Sequence, residues 1–504
     1  MEMEALVWWL NKLHFCLILS CLTVFHLAAA EYSNNQLKLE INLASSPSMS
    51  IKTNGSVQVC EADGLICRYL AGSFQVSLVN QDEITWYGIL DKKLSWIDPE
   101  TDSLAVPREY FTWENGKLTI KREYLQFLVQ SFSSKSEAEN YALSKGFSAS
   151  KVMEIPVVNS TVQIITAHGD KYYMETPLRI SSNKAIQING ESLGFEGEFI
   201  LKSVKGRIVL NHFLGLEAYL AGVVQNEIGN NSPTEALKAQ AVAARTHALS
   251  LLANNRHKAD GFDLCSSTHC QVYKGKYLQN DALLKAIADC EDEALFISGQ
   301  IADATYHSSC GGKTDASSAV WKGKPVAHLN GVSCWPEVDS LDLSLEPQAR
   351  LWIDTRPSTN GMSSWERGAL NWEKTITRSQ LAKNAGLTTL KRIEINQRGR
   401  SGRIMSLKLI GDKTLSLDNE YKIRQVFGNL LSSFFYIKGS YRQNGNATIL
   451  IPRATLTIKG KGAGHGVGMC QVGALRLARD GMSYQYILQY YYPGTTISRE
   501  WKDE

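Results

Sequence analysis

Three short segments of the chain place reactive side chains beside glycine or a helix start. In the first, Leu216-Glu217-Ala218-Tyr219-Leu220-Ala221-Gly222-Val223-Val224-Gln225-Asn226-Glu227, an apolar helical stretch delivers Glu227 to a turn. A carboxyl group held there against apolar surface is expected to keep its proton to higher pH and to serve as a general acid. The second is Cys265-Ser266-Ser267-Thr268-His269-Cys270, with His257 upstream. Two thiols and two imidazoles are donors that zinc takes in tetrahedral sets. A Cys265–Cys270 disulfide in an oxidising compartment uses the same residues differently, and the spacing alone does not choose. The third is Gly460-Lys461-Gly462-Ala463-Gly464-His465-Gly466-Val467-Gly468-Met469-Cys470-Gln471. Glycine at every second position permits close approach to the backbone and presents His465 without cover. No frame of this loop gives G-x-G-x-x-G or G-x-x-x-x-G-K-S/T, and H-E-x-x-H is absent from the chain, so these nucleotide-binding and zinc-hydrolase motifs are unsupported.

These segments need elements to hold them. Ser232-Pro233-Thr234-Glu235 reads as a helix start, with Ser at the cap, Pro at the first helical position and Glu placed to reach back. Alanines on every side of the run that follows, towards Asn254, predict a central buried helix. The glycine loop lies between a strand at 454–458 and a helix at 470–479 stopped by Gly481, and a last helix at 483–491 ends at Pro493-Gly494. Residues 337–370 read as a loop-rich insertion, 379–384 as a helix, and 393–395 with 404–410 as a hairpin. Upstream, 36–106 alternates in short strands, and 193–210 returns to strands. Between them, a strand at 127–132 and a helix at 136–144 resemble the first half of a SPOR-type glycan-binding module, a βαβ insertion being the plainer reading. The expected class is α+β. The expected divisions are 1–30 signal peptide, 31–115 β-rich region, 116–192 SPOR-like insertion and 193–504 catalytic region.

The whole chain is consistent with an exported protein. Lys12, an apolar run at 13–27 and Ala28-Ala29-Ala30 form the layout of a secretory signal, too short for a bilayer span, and no other segment is long and apolar enough. Beyond it remain Cys60, Cys67, Cys265, Cys270, Cys290, Cys310, Cys334 and Cys470, an even number. The close pair Cys60 and Cys67 suits a hairpin bridge. With 504 residues, 44% hydrophobic and 20% charged, the composition is globular and long enough for two domains, and a net charge of +3 is too slight for a dedicated nucleic-acid binder.

Six runs in order, 216–227, Glu235-Ala236-Leu237-Lys238-Ala239-Gln240-Ala241-Val242-Ala243-Ala244-Arg245-Thr246, 268–273, 306–312, 464–474 and Tyr490-Tyr491-Tyr492-Pro493-Gly494, resemble the stage II sporulation protein D family, which includes the amidase enhancer proteins. The resemblance covers 193–498. It implies a peptidoglycan lytic transglycosylase that cuts MurNAc-GlcNAc strands stripped of their peptides, with Glu227 as acid and base. Most glycosidases need two carboxylates about 5 to 9.5 Å apart; here the sugar's own C6 hydroxyl is the nucleophile, so one glutamate suffices and the chemistry requires no cofactor. The resemblance nominates His465, Gln471 and Tyr306 beside Glu227, and Arg245, His307, Gly464 and Gly466 for orienting the sugar. It also implies zinc in some members near the segment matching Cys265 to Cys270, and serine in many relatives where this chain has Cys470. The expected partners are glycan strands and a cell-wall amidase. The rival reading is a non-catalytic glycan-binding enhancer of such an amidase.

Overall fold

Alternating burial along the upstream strands explains the first sheet. In Ser48–Glu61, Met49, Ile51 and Thr53 point inward, a bulge follows, and Val57 and Val59 resume the inward face. The computed structural model describes residues 32–501 except 34–35, 63, 65, 80–85, 95–104, 115–116, 133, 156–160 and 276–279, so the signal segment expected at 1–30 lies outside the described residues. The chain divides into two units: Met1–Asn226 with Ala248–Gln279 and Glu500–Glu504, and Glu227–His247 with Asn280–Arg499. Among the described residues no helix is long and apolar enough to cross a membrane.

The first unit is built on a ten-stranded, mainly antiparallel sheet. Its order runs Tyr32–Ser33, Gln36–Ser46, Arg207–Gly215, Gly194–Val204, Leu178–Ile188, Ser48–Glu61, Cys67–Leu78, Thr161–Thr166 and Lys171–Glu175. Leu264–Cys265 adds in parallel to Gln36–Ser46. The Cys60–Cys67 disulfide closes the hairpin between two of these strands, as the spacing predicts. A smaller four-stranded sheet takes Trp86–Leu94, Ala105–Glu114, Lys117–Phe132 and Val152–Ile155, with helix Lys135–Ser144 packed through Ala138 and Ala142 on Ile89, Phe132 and Val152. This sheet starts ahead of residue 116, and the strands at 161–188 pair within the large sheet.

The helix and strand expectations of the C-terminal half hold at Arg378–Asn384, Leu390–Arg398 with Ile404–Gly411, Thr455–Lys461, Gln471–Arg479 and Tyr484–Tyr491. Residues 337–370 are a correction. They contain helices Glu346–Asp354 and Ser364–Leu370, because Pro347 stands in the first helical turn and Ser363 with Glu366 forms a capping box; the signals read as loop are helix starts. In the second unit, Leu456 and Ile458 lie in an apolar cluster with Leu381, Ile393, Leu407 and Phe435, which anchors the strand leading into the glycine loop.

The alanine-rich helix runs Thr234–Ala253, and Ala236 to Thr246 are buried on every side except Lys238. Its start differs from expectation. The Ser232 hydroxyl donates to the Ile228 carbonyl at 2.6 Å, because the turn at Gly229 brings back a carbonyl left over from the preceding helix. Glu235 does not reach back either: its carboxylate accepts from the Tyr484 amide at 2.8 Å, at the positive end of another helix.

Candidate functional site

Glu227 is the last residue of helix Leu216–Glu227 and is half-buried. Its Oε2 accepts from Gln471 Nε2 at 3.1 Å, and the same nitrogen donates to Gln240 Oε1 at 3.3 Å. Gln471 and Gln240 are buried, at 1% and 0% exposure. An amide nitrogen has two hydrogens and no acceptor capacity, so this pairing turns the Gln471 amide one way round and fixes one carboxylate oxygen. Gln471 opens helix Gln471–Arg479, whose cap is the Cys470 sulfur accepting from the Gly473 amide at 3.3 Å. The structure therefore brings Gln471 to Glu227. Gln240 was missed: it lies within the alanine-rich run, where a buried glutamine among alanines was the available signal.

The alternating glycines serve the protein itself. Gly464 and Gly466 have φ of 93° and 85°, a region that side chains rarely enter. A Cβ on Gly464 would lie 2.9 Å from the Cβ of His307, and one on Gly466 would meet the guanidinium of Arg403. His465 is equally committed. Its Nδ1 accepts from the Val467 amide at 3.2 Å, so the proton sits on Nε2 and is donated to the Tyr306 carbonyl at 3.0 Å. Burial, then the neighbouring His307 and the Arg403 guanidinium, holds its pKa well below the usual imidazole range. The ring is a neutral brace. Trp321, 46% exposed, lies 5.2 Å from it and presents an aromatic face that the sequence did not single out.

Behind the loop, Tyr306–His307 pairs in parallel with Met469–Cys470, and Ser309 and Ala463 exchange two backbone hydrogen bonds. Arg403, fully buried, donates to the Cys310 carbonyl at 3.1 Å and to the Ser401 hydroxyl, which is bonded to the Asp315 carboxylate. The Asp315 amide donates to the Gly466 carbonyl at 2.7 Å. Two residues expected to orient sugar are interior. Arg245 is 0% exposed and donates to the Glu293 carbonyl at 2.8 Å; His307 is 4% exposed and its Nδ1 donates to the Val467 carbonyl at 3.0 Å.

In the first unit, His257, Cys265, His269 and Cys270 bring one donor atom each to within 4.8 Å of one another. The two cysteines are free thiols, with the Cys265 amide donating to Cys270 Sγ at 3.4 Å. His257 Nε2 lies 3.4 Å from Cys270 Sγ, His269 Nδ1 lies 3.7 Å from Cys265 Sγ, and His257 Nδ1 is 3.2 Å from the Asp260 carboxylate. A proton donated by Cys270 holds the Cys265 thiol down at about 3. Two cysteine sulfurs, two imidazoles and a carboxylate behind one imidazole fit zinc, whose bonds of about 2.0–2.3 Å set donors nearly 4 Å apart. The same turn braces the Glu227 helix. Gln271 Nε2 donates to the Tyr219 hydroxyl at 3.3 Å, Gln225 donates to the Gly275 carbonyl at 2.7 Å, and Gly222 leaves room for the Tyr273 ring.

Comparison with known proteins finds two family models and several relatives. A family model described as stage II sporulation protein matches residues 205–296, and one described as a domain of unknown function matches 317–468. An uncharacterised protein of Brachyspira hyodysenteriae is 33% identical, over 58% of this chain and 68% of its own. The amidase enhancer of Bacillus subtilis is 30% identical, over 55% of this chain and 40% of its own, and stage II sporulation protein D of Bacillus subtilis is 28% identical, over 56% and 74%.

Proposed function

The chain belongs to the stage II sporulation protein D and amidase enhancer family, and from that premise we propose that it is an exported lytic transglycosylase of peptidoglycan with Glu227 as its acid and base. The observation that carries the reading is the fixed carboxylate: Glu227 held by Gln471, which is held in turn by buried Gln240. The protonated carboxyl of Glu227 gives its proton to the glycosidic oxygen as the bond to the MurNAc C1 breaks. The resulting carboxylate then takes the proton of the C6 hydroxyl, whose oxygen closes on C1 to give the 1,6-anhydro ring. No water is consumed, and Glu227 ends as it began. Trp321 offers an apolar ring face against which a sugar can lie. His257, Cys265, His269 and Cys270 would hold a zinc ion that supplies a structural cross-link behind the Glu227 helix.

The test is mass spectrometry of the fragments released from peptide-stripped and intact peptidoglycan. Wild type is expected to give anhydromuramoyl ends and Glu227→Gln to lose at least about 10²-fold in rate while still binding glycan. Gln471→Ala, which frees the carboxylate to turn, is expected to lose up to about 10²-fold.

The likeness to an amidase enhancer favours a second reading, a non-catalytic glycan-binding partner of a cell-wall amidase. It is preferred if wild type releases no fragments, and if stimulation of an added amidase survives Glu227→Gln.

A further inference from the structure

The second unit holds another group of donors that Glu227 chemistry does not use. The sulfurs of Cys310, Cys334 and Cys470 lie within 4.8 Å of one another, all three residues are at most 1% exposed, and all are free thiols. Zinc–sulfur bonds of about 2.3 Å in a tetrahedral set place sulfurs roughly 3.8 Å apart, so the trio needs only a small contraction to close on an ion.

Three further observations point to a ligand. Backbone amides already address the sulfurs as they do in thiolate sites: Cys310 N–H and Gly473 N–H donate to Cys470 Sγ at 3.2 and 3.3 Å, and Gly312 N–H donates to Cys310 Sγ at 3.3 Å. His307 sits beside Cys470, paired to it across two parallel strands. Its Nδ1 proton is taken by the Val467 carbonyl, which leaves a lone pair on Nε2, and among the described residues that buried nitrogen has no hydrogen-bond partner. Lys461, fully buried, has an Nζ without a hydrogen-bond partner among the described residues and lies within electrostatic reach of Cys310.

We propose that Cys310, Cys334 and Cys470 form a second, structural zinc site, with His307 Nε2, which lies outside the three-sulfur group as it stands, moving in as the fourth donor. Binding displaces the thiol protons to solvent and forms three S–Zn bonds, with no change of oxidation state. Three thiolates and Zn²⁺ sum to one negative charge, which would favour the charged form of Lys461 against the burial that disfavours it. The ion would join the 306–312 segment, the loop at Cys334 and the cap of the helix that begins with Gln471. The proposal does not depend on what Glu227 does.

The experiment uses the full chain with Cys265→Ser and Cys270→Ser, which removes the other donor set. Elemental analysis after equilibration with Zn²⁺ is expected to find one equivalent, and Co²⁺ substitution to give the intense thiolate-to-cobalt absorption of a three-sulfur site. Adding Cys334→Ser is expected to abolish both. In wild-type protein, alkylation in denaturant and chelator without reductant, followed by peptide mapping, is expected to label all three cysteines. A disulfide between any two of them, or the absence of both bound Zn²⁺ and the Co²⁺ band, overturns the proposal without bearing on catalysis.

Discussion

The turn at Cys265–Cys270 and the loop at Gly464–Gln471 both set a histidine among small residues, and they use it in opposite ways. In the turn, heteroatoms of four side chains converge on one another, and Asp260 supports His257 from behind. In the loop, both nitrogens of His465 are taken by backbone groups, and the side chain that reaches Glu227 is Gln471. The difference teaches that a histidine's role follows from the partner of each ring nitrogen, which sequence neighbours do not specify. A donor whose partners are other donors is free to take an ion; a donor whose partners are amides and carbonyls holds a loop.

The largest effect that separates the two regions is expected from Cys270→Ser. Loss of a thiolate should cost this site the zinc proposed for it, an ion whose apparent binding is about 10–16 kcal/mol in small zinc domains. Elemental analysis should fall by one equivalent and thermal unfolding should move down; unchanged metal content and melting would put the turn in the same class as the loop. His465→Ala should act through folding instead, losing the hydrogen bonds to the Tyr306 carbonyl and from the Val467 amide at about 0.5–1.5 kcal/mol each. Urea unfolding reads that loss, and the pH profile of the residual cleavage should keep its wild-type shape. A displaced profile would make His465 a proton carrier.

Much of this contrast was out of reach of the sequence for a physical reason. Glu227 and Gln471 were legible because each stands at a helix end, where turn residues announce it. The helices and hairpin of the C-terminal half were legible through caps and periodicity. Ser232 and Glu235 were legible as cap residues but not as to which helix end they satisfy, since that depends on the return of Ile228 and the approach of Tyr484. Gln240 sits inside an ordinary helical pattern, and Arg403 and Asp315 lie in the connections between elements; all three acquire their roles only when distant segments pack. Cys310, Cys334 and Cys470 lie far apart in the chain and meet only in the fold. The glycines misled in one respect: their left-handed backbone was inferable, whereas the atoms filling the space beside them belong to His307 and Arg403.

A milder change probes the turn from behind. Asp260→Asn keeps the size of the side chain but weakens the support of His257 Nδ1. Zinc affinity measured by chelator competition is expected to fall about 10–100-fold. No change would mean that the His257 ring is held by its contact with Phe262, whose ring centroid lies 4.6 Å away, and that the carboxylate contributes nothing to the site.

The smallest effect is the one that acidification should produce in the loop. His465 is neutral in the folded protein because burial, then His307, Arg403 and, less strongly, Arg424, disfavour its cation, against the Tyr306 carbonyl, which favours it. In the unfolded chain the same ring titrates near about 6.5. Between the two values the unfolded state binds more protons, so the stabilising contribution is complete above about pH 6.5 and is lost as pH falls, by at most about 1.4 kcal/mol per unit. Urea unfolding at pH 7.5 and 5.5 should therefore show wild type losing more stability than His465→Gln. Equal losses would mean that His465 accepts a proton without leaving the fold. One ring nitrogen would then have exchanged its backbone partner for a proton, and the loop would have regained the freedom that distinguishes the turn.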